Sequence, residues 1–135
     1  MSPLGLGKIA AIERSVMRAR AEFTAAGANF SQDYTRQDAA ILNILRACEL
    51  ALDLANMLIR RHELGLPQSS RDSFKLLAEA QLIEPELSER LQHMIGFRNI
   101  AVHQYQTLNL AIVESVLTRD LDDLLLFCRT VAISD

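Results

Sequence analysis

The sequence predicts an all-α fold: an up-and-down bundle of four main helices with one additional short helix. Apolar residues recur every three or four positions in four long segments, which is the period of a helix that buries one face. No segment shows the alternation of a strand, an internal repeat, a linker or a low-complexity composition. We expect residues 1–135 to form a single domain, because a chain of this length buries roughly 65–70% of its unfolded surface.

The first helix is predicted over residues 8–26. Gly27 and Asn29 follow it, and both residue types tolerate the left-handed geometry of a helix C-terminus. The apolar stripe of this helix consists of Ile9, Ile12, Val16, Ala19, Phe23 and Ala26. Its basic residues lie mostly on the other faces and are interpreted as a solvated surface.

The second and longest helix is predicted over residues 35–64. It would be about 45 Å long, so we expect it to be the central helix of the bundle. Thr35 and Asp38 have the spacing of a capping box in which Asp replaces Glu. Gly65 and Pro67 are expected to end the helix.

Polar residues interrupt or flank the apolar stripe of the second helix. Arg46, Asp53 and Asn56 fall within one sector, because seven residues make nearly two turns. Glu49 and Asp53 are like charges four residues apart, which is an unfavourable intrahelical pair. Two interpretations stay open: a solvent-facing surface, or a polar pocket or subunit interface.

The remaining helices are shorter or start at clear signals. Ser69 with Asp72 is expected to cap a short helix that runs to about residue 80. Pro85 suits the first turn of the next helix, where its missing N–H costs nothing. Residues 104–107 lose the helical period and predict a loop, and the last helix begins near Asn109.

Composition limits the classes of function. The net charge of −3 gives no global reason to bind nucleic acid, so any phosphate contact must come from a local cluster. Cys48 and Cys128 lie in apolar helical patterns, where a free thiol packs as a small hydrophobe. We find no metal-binding spacing and predict no metal and no cofactor.

Targeting signals are also not expected. Residues 1–7 contain Pro and Gly where a signal peptide needs an apolar core. No apolar run approaches the ~20 residues of a membrane span. We therefore expect a soluble, cytoplasmic protein.

One octapeptide, residues 98–105, combines an arginine, an amide, an imidazole and a phenol. These side chains belong to Arg98, Asn99, His103 and Tyr105. A permanently charged guanidinium and a residue that titrates near neutral pH suit phosphate chemistry. A structural role is the alternative, in which Arg98 and Asn99 cap carbonyls and His103 pairs with an acid.

Helix geometry constrains how this octapeptide could act. In an unbroken helix Arg98 and His103 would lie about 140° apart and would not reach one small group. Either the helix breaks near Val102 and swings His103 back, or two chains combine their residues across a two-fold axis. Two arginines and two histidines around one cleft could cleave a phosphodiester, with histidine as acid and base and arginine stabilising charge on phosphorus.

Residues 96–105 resemble the signature of HEPN-domain toxins of the HepT family: arginine, a polar residue (usually Asn), three more residues, histidine, and a tyrosine two further on. The similarity extends to residues 47–56, 65–67, 70–74 and 91–96 and to the closing acidic helix. It therefore covers the chain from about Lys8 to the C-terminus.

This resemblance implies a HEPN-type four-helix bundle that forms a homodimer, with both motifs facing a cleft. It implies the toxin of a type VII toxin–antitoxin system, a metal-independent endoribonuclease that leaves 2′,3′-cyclic phosphate ends on RNA. Arg98 and His103 would be catalytic and Asn99 would shape the site. The partner would be an MntA-like nucleotidyltransferase antitoxin that neutralises the toxin by AMPylation of Tyr105.

The superfamily often adds a polar residue from another helix to orient the site. Asp53 or Arg46 would fill this role here, and the sequence does not choose between them. A different class of function also stays open. In it the chain is a non-catalytic helical binding subunit that docks to a nucleotidyltransferase and presents a substrate to it.

Overall fold

The structure is a computed structural model that describes residues 1–133, and it confirms the predicted all-α bundle. The helices are α1 (Pro3–Ala26), α2 (Tyr34–Arg61), α3 (Ser70–Glu79), α4 (Pro85–His103), α5 (Leu110–Ser115) and α6 (Leu121–Ala132). A π-helical turn, Val116–Asp120, joins α5 to α6 without a break. The four long helical segments and the short α3 match the predicted set.

Helix α1 begins five residues earlier than predicted. Ser2 caps it, because its hydroxyl oxygen accepts a hydrogen bond from the Gly5 N–H at 3.2 Å. Pro3 occupies the first turn, where a missing N–H has no cost. The helix ends at Ala26 as predicted, and Gly27 adopts a positive φ of 57° while its N–H bonds the Phe23 carbonyl.

The predicted capping box at the start of α2 is wrong. Asp33 caps this helix, accepting a hydrogen bond from the Arg36 N–H at 3.1 Å, so α2 starts at Tyr34. Thr35 and Asp38 therefore lie inside the helix. The chain turns immediately before Tyr34, and the capping role goes to the residue at that turn.

Helix α2 ends three residues before the predicted end. Glu63 takes the left-handed conformation, with φ of 53°, that was expected near Gly65. The Glu63 N–H bonds the Arg60 carbonyl at 3.3 Å and the Leu64 N–H bonds the Ile59 carbonyl at 3.0 Å. This pair of bonds is a Schellman motif, which satisfies carbonyls at the helix end.

Helices α3 and α4 pack against each other as a helical hairpin. Ser69 caps α3 as predicted, accepting from the Asp72 N–H at 3.2 Å. The Ser88 hydroxyl on α4 donates to the Phe74 carbonyl on α3 at 2.9 Å, inside the protein. Pro85 is the first residue of α4, as predicted.

The core is mostly aliphatic, as predicted, and four buried phenylalanines complete it. Phe74 and Phe127 meet edge to face with ring centroids 5.5 Å apart. Cys48 and Cys128 are free and buried, and burial raises the pKa of both thiols to about 12. Both cysteines are therefore protonated at neutral pH and pack as hydrophobic side chains.

An arginine of α1 forms hydrogen bonds with the π-helical turn and with the start of α6. Arg20 Nε donates to the Leu117 carbonyl at 2.8 Å, and Arg20 Nη2 bonds Asp122 Oδ1 at 2.9 Å. A π-turn frees backbone carbonyls from the regular α-helical pattern. Arg20 takes up one such carbonyl and ties α1 to the last helical segment.

None of the helices described between residues 1 and 133 offers an apolar stretch that would cross a bilayer.

The aromatic contact in the core gives a direct test of the fold. Phe127→Ala removes a fully buried ring and its partner for Phe74, so we expect the free energy of unfolding to fall by about 3–5 kcal/mol. Leu66→Ala is the control, because Leu66 is 85% exposed. Urea unfolding followed by circular dichroism measures both. Equal losses in the two variants would contradict this core.

Candidate active site

The octapeptide predicted to carry the chemistry lies at the C-terminal end of α4. Arg98 and Asn99 are half-buried, whereas Ile100, Val102 and His103 are exposed. The helix stays α-helical through His103, and the Gln104 N–H bonds the Ile100 carbonyl at 2.7 Å. The helix break therefore comes after His103.

A break near Val102 that swings His103 back is thus ruled out. Arg98 and His103 keep their helical positions, about 140° apart around α4. Within one chain the two side chains point to different sides of the helix and do not meet at one small group. The alternative, a site built from two chains, stays a prediction.

The guanidinium of Arg98 is held by two neighbours. Its Nη1 donates to Asn99 Oδ1 at 2.8 Å, and its Nη2 forms an ion pair with the Glu49 carboxylate of α2. The Arg98 Nε is buried and has no hydrogen-bond partner among residues 1–133. The side chain is therefore oriented from two directions and keeps one donor unused.

The sequence did not identify Glu49 as a site residue. Its unfavourable spacing from Asp53 was the available signal, because like charges on one helix face each favour a nearby cation. The structure supplies both cations: Arg98 pairs with Glu49, and Lys8 of α1 pairs with Asp53 at 3.6 Å. Glu49 thus joins Asn99 as a neighbour that orients Arg98.

The two predicted supporting residues of α2 lie on either side of Glu49. Arg98 pairs with Glu49 and Tyr105 with Asp38, so the end of α4 runs antiparallel to α2. Arg46 is exposed and lies between these two pairs along α2. Asp53 lies beyond Arg98 and contacts α1. Their predicted roles in shaping the site remain predictions.

Asn56, the third polar residue of the predicted sector, has a structural contact. Its side-chain oxygen accepts a hydrogen bond from the Ser73 hydroxyl of α3 at 2.8 Å. Ser73 is buried, so this bond satisfies a polar group between α2 and α3.

A second arginine lies close to the octapeptide. Arg71, in the first turn of α3, places its guanidinium against Gly96, and a Cβ at that position would collide with Arg71 Nη2. Gly96 and His103 are seven residues apart, nearly two turns, so they share one face of α4. The structure therefore adds a positive charge to the face of α4 that carries His103.

Tyr105 lies on a 3₁₀ turn, Tyr105–Thr107, immediately after α4. Its hydroxyl donates to the Asp38 carboxylate of α2, and both side chains line a surface pocket of about 260 Å³ with Tyr34, Gln37 and Gln106. Burial, then the hydrogen bond and the charge of Asp38, raise the pKa of Tyr105 to about 12. Only a capping role was predicted for Asp38, which lies 67 positions from Tyr105 in the sequence.

Within residues 1–133, no group of three His, Cys, Asp or Glu side chains is placed to hold a metal ion.

The pairing of Tyr105 with Asp38 is testable by titration. In a Tyr34→Phe background, which leaves Tyr105 as the sole tyrosine, ultraviolet absorbance should show the phenolate only near pH 12. Adding Asp38→Asn should lower this pKa towards the ordinary 10.0, because the carboxylate charge is lost. An unchanged titration in that variant would contradict the pairing.

The sign of the linked stability follows from the raised pKa. The folded state holds the Tyr105 proton more tightly than the unfolded chain, so the contribution is complete below pH 10. It is lost as the pH rises through about 12.

Comparison with known protein families gives a match over most of the chain. The family model described as "Ribonuclease HepT-like" matches residues 12–131. The mRNA nuclease HepT of Shewanella oneidensis is 49% identical over 123 residues, covering 91% of this chain and 92% of that protein. A putative RNase of Archaeoglobus fulgidus is 34% identical over 92 residues, covering 68% of each chain.

Solved structures are similar over nearly the whole chain. A tri-AMPylated HEPN toxin of Shewanella oneidensis in complex with its MNT antitoxin has a TM-score of 0.92 and 45% identity, covering 98% of both chains. A toxin–antitoxin crystal structure with AMP-PNP has a TM-score of 0.91 and 45% identity, covering 97% of this chain and 99% of that one.

Proposed function

Because the chain belongs to the HepT-like ribonuclease family, we propose that it is the toxin of a type VII toxin–antitoxin pair. In this proposal it is an endoribonuclease whose site is shared by two copies of the chain. Its fold is the HEPN-type bundle that the sequence predicts. An MNT nucleotidyltransferase antitoxin neutralises it by adding AMP to Tyr105.

The environment of Arg98 supports the catalytic role most directly. The guanidinium is half-buried and held between Asn99 and Glu49, so little reorientation is needed when a phosphate arrives. About 26% of the side-chain surface stays exposed, so a phosphate can approach the guanidinium from solvent. Preorganised donors of this kind stabilise charge that develops on phosphorus.

The shared site follows from helix geometry and from the surface. Arg98 and His103 diverge on α4, so a second chain related by a two-fold axis is needed to bring an arginine and a histidine to one phosphate. Ile100 and Val102 are 54% and 53% exposed beside these residues, and Leu42 of α2 is 48% exposed. Burying such side chains between two copies is favourable by about 25 cal/mol per Å².

Cleavage then needs only this chain's own residues. A neutral His103 takes the proton of an RNA 2′-hydroxyl, and the oxygen attacks the adjacent phosphorus. His103 of the second copy, as the imidazolium, protonates the leaving 5′-oxygen. Arg98 stabilises the five-coordinate phosphorus, and the products carry 2′,3′-cyclic phosphate and 5′-hydroxyl ends.

RNA must bind a chain whose net charge is −3. Arg98 and Arg71 supply local positive charge around the end of α4, and exposed Arg46 lies alongside on α2. In this proposal these arginines contact the RNA backbone at the cleft.

The position of Tyr105 supports its role as the residue whose modification inhibits the toxin. It is partly exposed and two residues beyond His103. An added AMP brings a negative phosphate and a bulky nucleoside to a cleft that must admit RNA phosphates. Repulsion and occlusion therefore act together.

Substitutions of the two catalytic residues test RNA cleavage. Arg98→Ala and His103→Ala should each lower metal-free cleavage by about 10²-fold or more and abolish growth inhibition. Arg129→Ala and His93→Ala are matched controls, because both residues are exposed and outside the octapeptide. Cleavage at the parent rate in both test variants, with a native circular dichroism spectrum, would contradict the catalytic roles of Arg98 and His103. A parent protein that cleaves no RNA would instead favour the non-catalytic binding subunit.

A mixing experiment tests the shared site. Co-expressing Arg98→Ala with His103→Ala produces mixed dimers in which one chain keeps the arginine and the other keeps the histidine. Only one of the two histidines of the proposed acid–base pair remains in such a dimer. We expect mixed dimers, isolated with two different affinity tags, to cleave RNA faster than the His103→Ala homodimer, which has no His103, and more slowly than the parent. A mixed dimer of verified composition that is no faster than the His103→Ala homodimer would contradict a site built from two chains.

A further inference from the structure

Asp38 does not cap a helix, and its contact with Tyr105 therefore needs another explanation. It was expected to cap α2, but Asp33 performs that function. Asp38 instead lies inside α2 and accepts the hydrogen bond of the Tyr105 hydroxyl. Within residues 1–133 Asp38 forms no ion pair.

The pocket beside this hydrogen bond is open to solvent, and its lining contains no lysine or arginine. The bond lies at a surface pocket of about 260 Å³, which leaves room for a reactant beside the Tyr105 oxygen. The polar residues of this pocket other than Tyr105 and Asp38 are Tyr34, Gln37 and Gln106. No lysine or arginine lines it, so nothing on this wall neutralises the Asp38 carboxylate.

We propose that Asp38 is a catalytic residue of the AMP transfer: the toxin itself supplies the general base that deprotonates Tyr105. This inference rests on the proposed function, in which Tyr105 accepts AMP from ATP. As the Asp38 carboxylate takes the phenolic proton, the Tyr105 oxygen forms a bond to the α-phosphorus. The bond between that phosphorus and the oxygen bridging to the β-phosphate breaks, and pyrophosphate leaves with the electron pair.

The protonation state of Tyr105 explains why a base is needed. Its pKa is raised to about 12, so the phenolate is scarce at neutral pH. The proton must therefore leave during the attack, to a group already in hydrogen-bond contact with the oxygen. The Asp38 carboxylate is such a group, and it becomes neutral as it accepts the proton.

The hydrogen bond with Asp38 also explains why AMP would be added to Tyr105 and not to Tyr34. Tyr34 lines the same pocket and is 71% exposed, against 40% for Tyr105. Exposure alone would favour Tyr34 as the acceptor. Among residues 1–133, the structure gives the Tyr34 hydroxyl no carboxylate partner, so only Tyr105 is paired with a base.

The experiment measures AMP transfer in a His103→Ala background, which prevents toxicity during expression. Purified toxin is mixed with its cognate MNT antitoxin and ATP at saturating concentrations, and intact mass follows the first AMP addition over time. The variants are Asp38→Asn, which keeps an oxygen acceptor of the same shape, and Asp38→Glu, which keeps a carboxylate. Tyr105→Phe identifies the acceptor, and Glu79→Gln, an exposed site on α3, is the matched control.

We expect Asp38→Asn to slow the saturated rate by about 10²-fold, the usual effect of removing a general base. Asp38→Glu should retain a rate within about tenfold of the parent, and Glu79→Gln should match it. Thermal unfolding and the affinity for the antitoxin should stay the same in Asp38→Asn, because the amide oxygen still accepts the Tyr105 hydrogen bond.

Two results would overturn the inference while leaving the proposed function intact. One is that the Asp38→Asn variant takes up the first AMP as fast as the parent toxin. The other is a folded Asp38→Glu variant as slow as Asp38→Asn, which would assign Asp38 to shape and not to proton transfer. Two other results would instead refute AMPylation of Tyr105 itself. One is that the parent toxin takes up no AMP, and the other is that the Tyr105→Phe variant takes up as much AMP as the parent.

Discussion

The ion pair between Arg98 and Glu49 determines how the end of α4 can be used. The two side chains are 26% and 46% exposed, and a pair this close to solvent contributes only about 0.2–1 kcal/mol to stability. Its importance is orientation. With Asn99 on its other side, Glu49 holds the guanidinium in one orientation within the free chain.

Helix geometry then sets the limit on what one chain can do. Because α4 stays regular through His103, the oriented arginine and the histidine diverge, and no rotamer change brings both to one phosphate. The proposed shared site therefore depends on a second copy, for which the exposed Ile100 and Val102 offer an apolar surface. Positive charge near this site is local: Arg98 belongs to α4 and Arg71 of α3 lies against Gly96, in a chain whose net charge is −3.

The sequence predicted the helices far better than the contacts between them. Apolar periodicity located every helix, and Ser69 and Pro85 marked two helix starts correctly. The start of α2 was wrong because Asp33 and Thr35 both suit a cap, and only the path of the preceding turn decides between them. Glu49 and Asp38 could not be assigned from spacing. Their partners are 49 and 67 positions away, and the packing register of α2 against α4 brings them together.

This register places two carboxylates of α2 on one helix face, each serving a different residue of the octapeptide. Asp38 and Glu49 are 11 residues apart, which is about three turns and about 16 Å along the helix. Tyr105 and Arg98 therefore contact α2 at points about three turns apart, although they are close in sequence. In the proposed function, an AMP group on Tyr105 is therefore added near His103 and away from the Arg98–Glu49 pair. Inhibition as proposed would block the entry of RNA to the histidine and leave the orientation of the arginine unchanged.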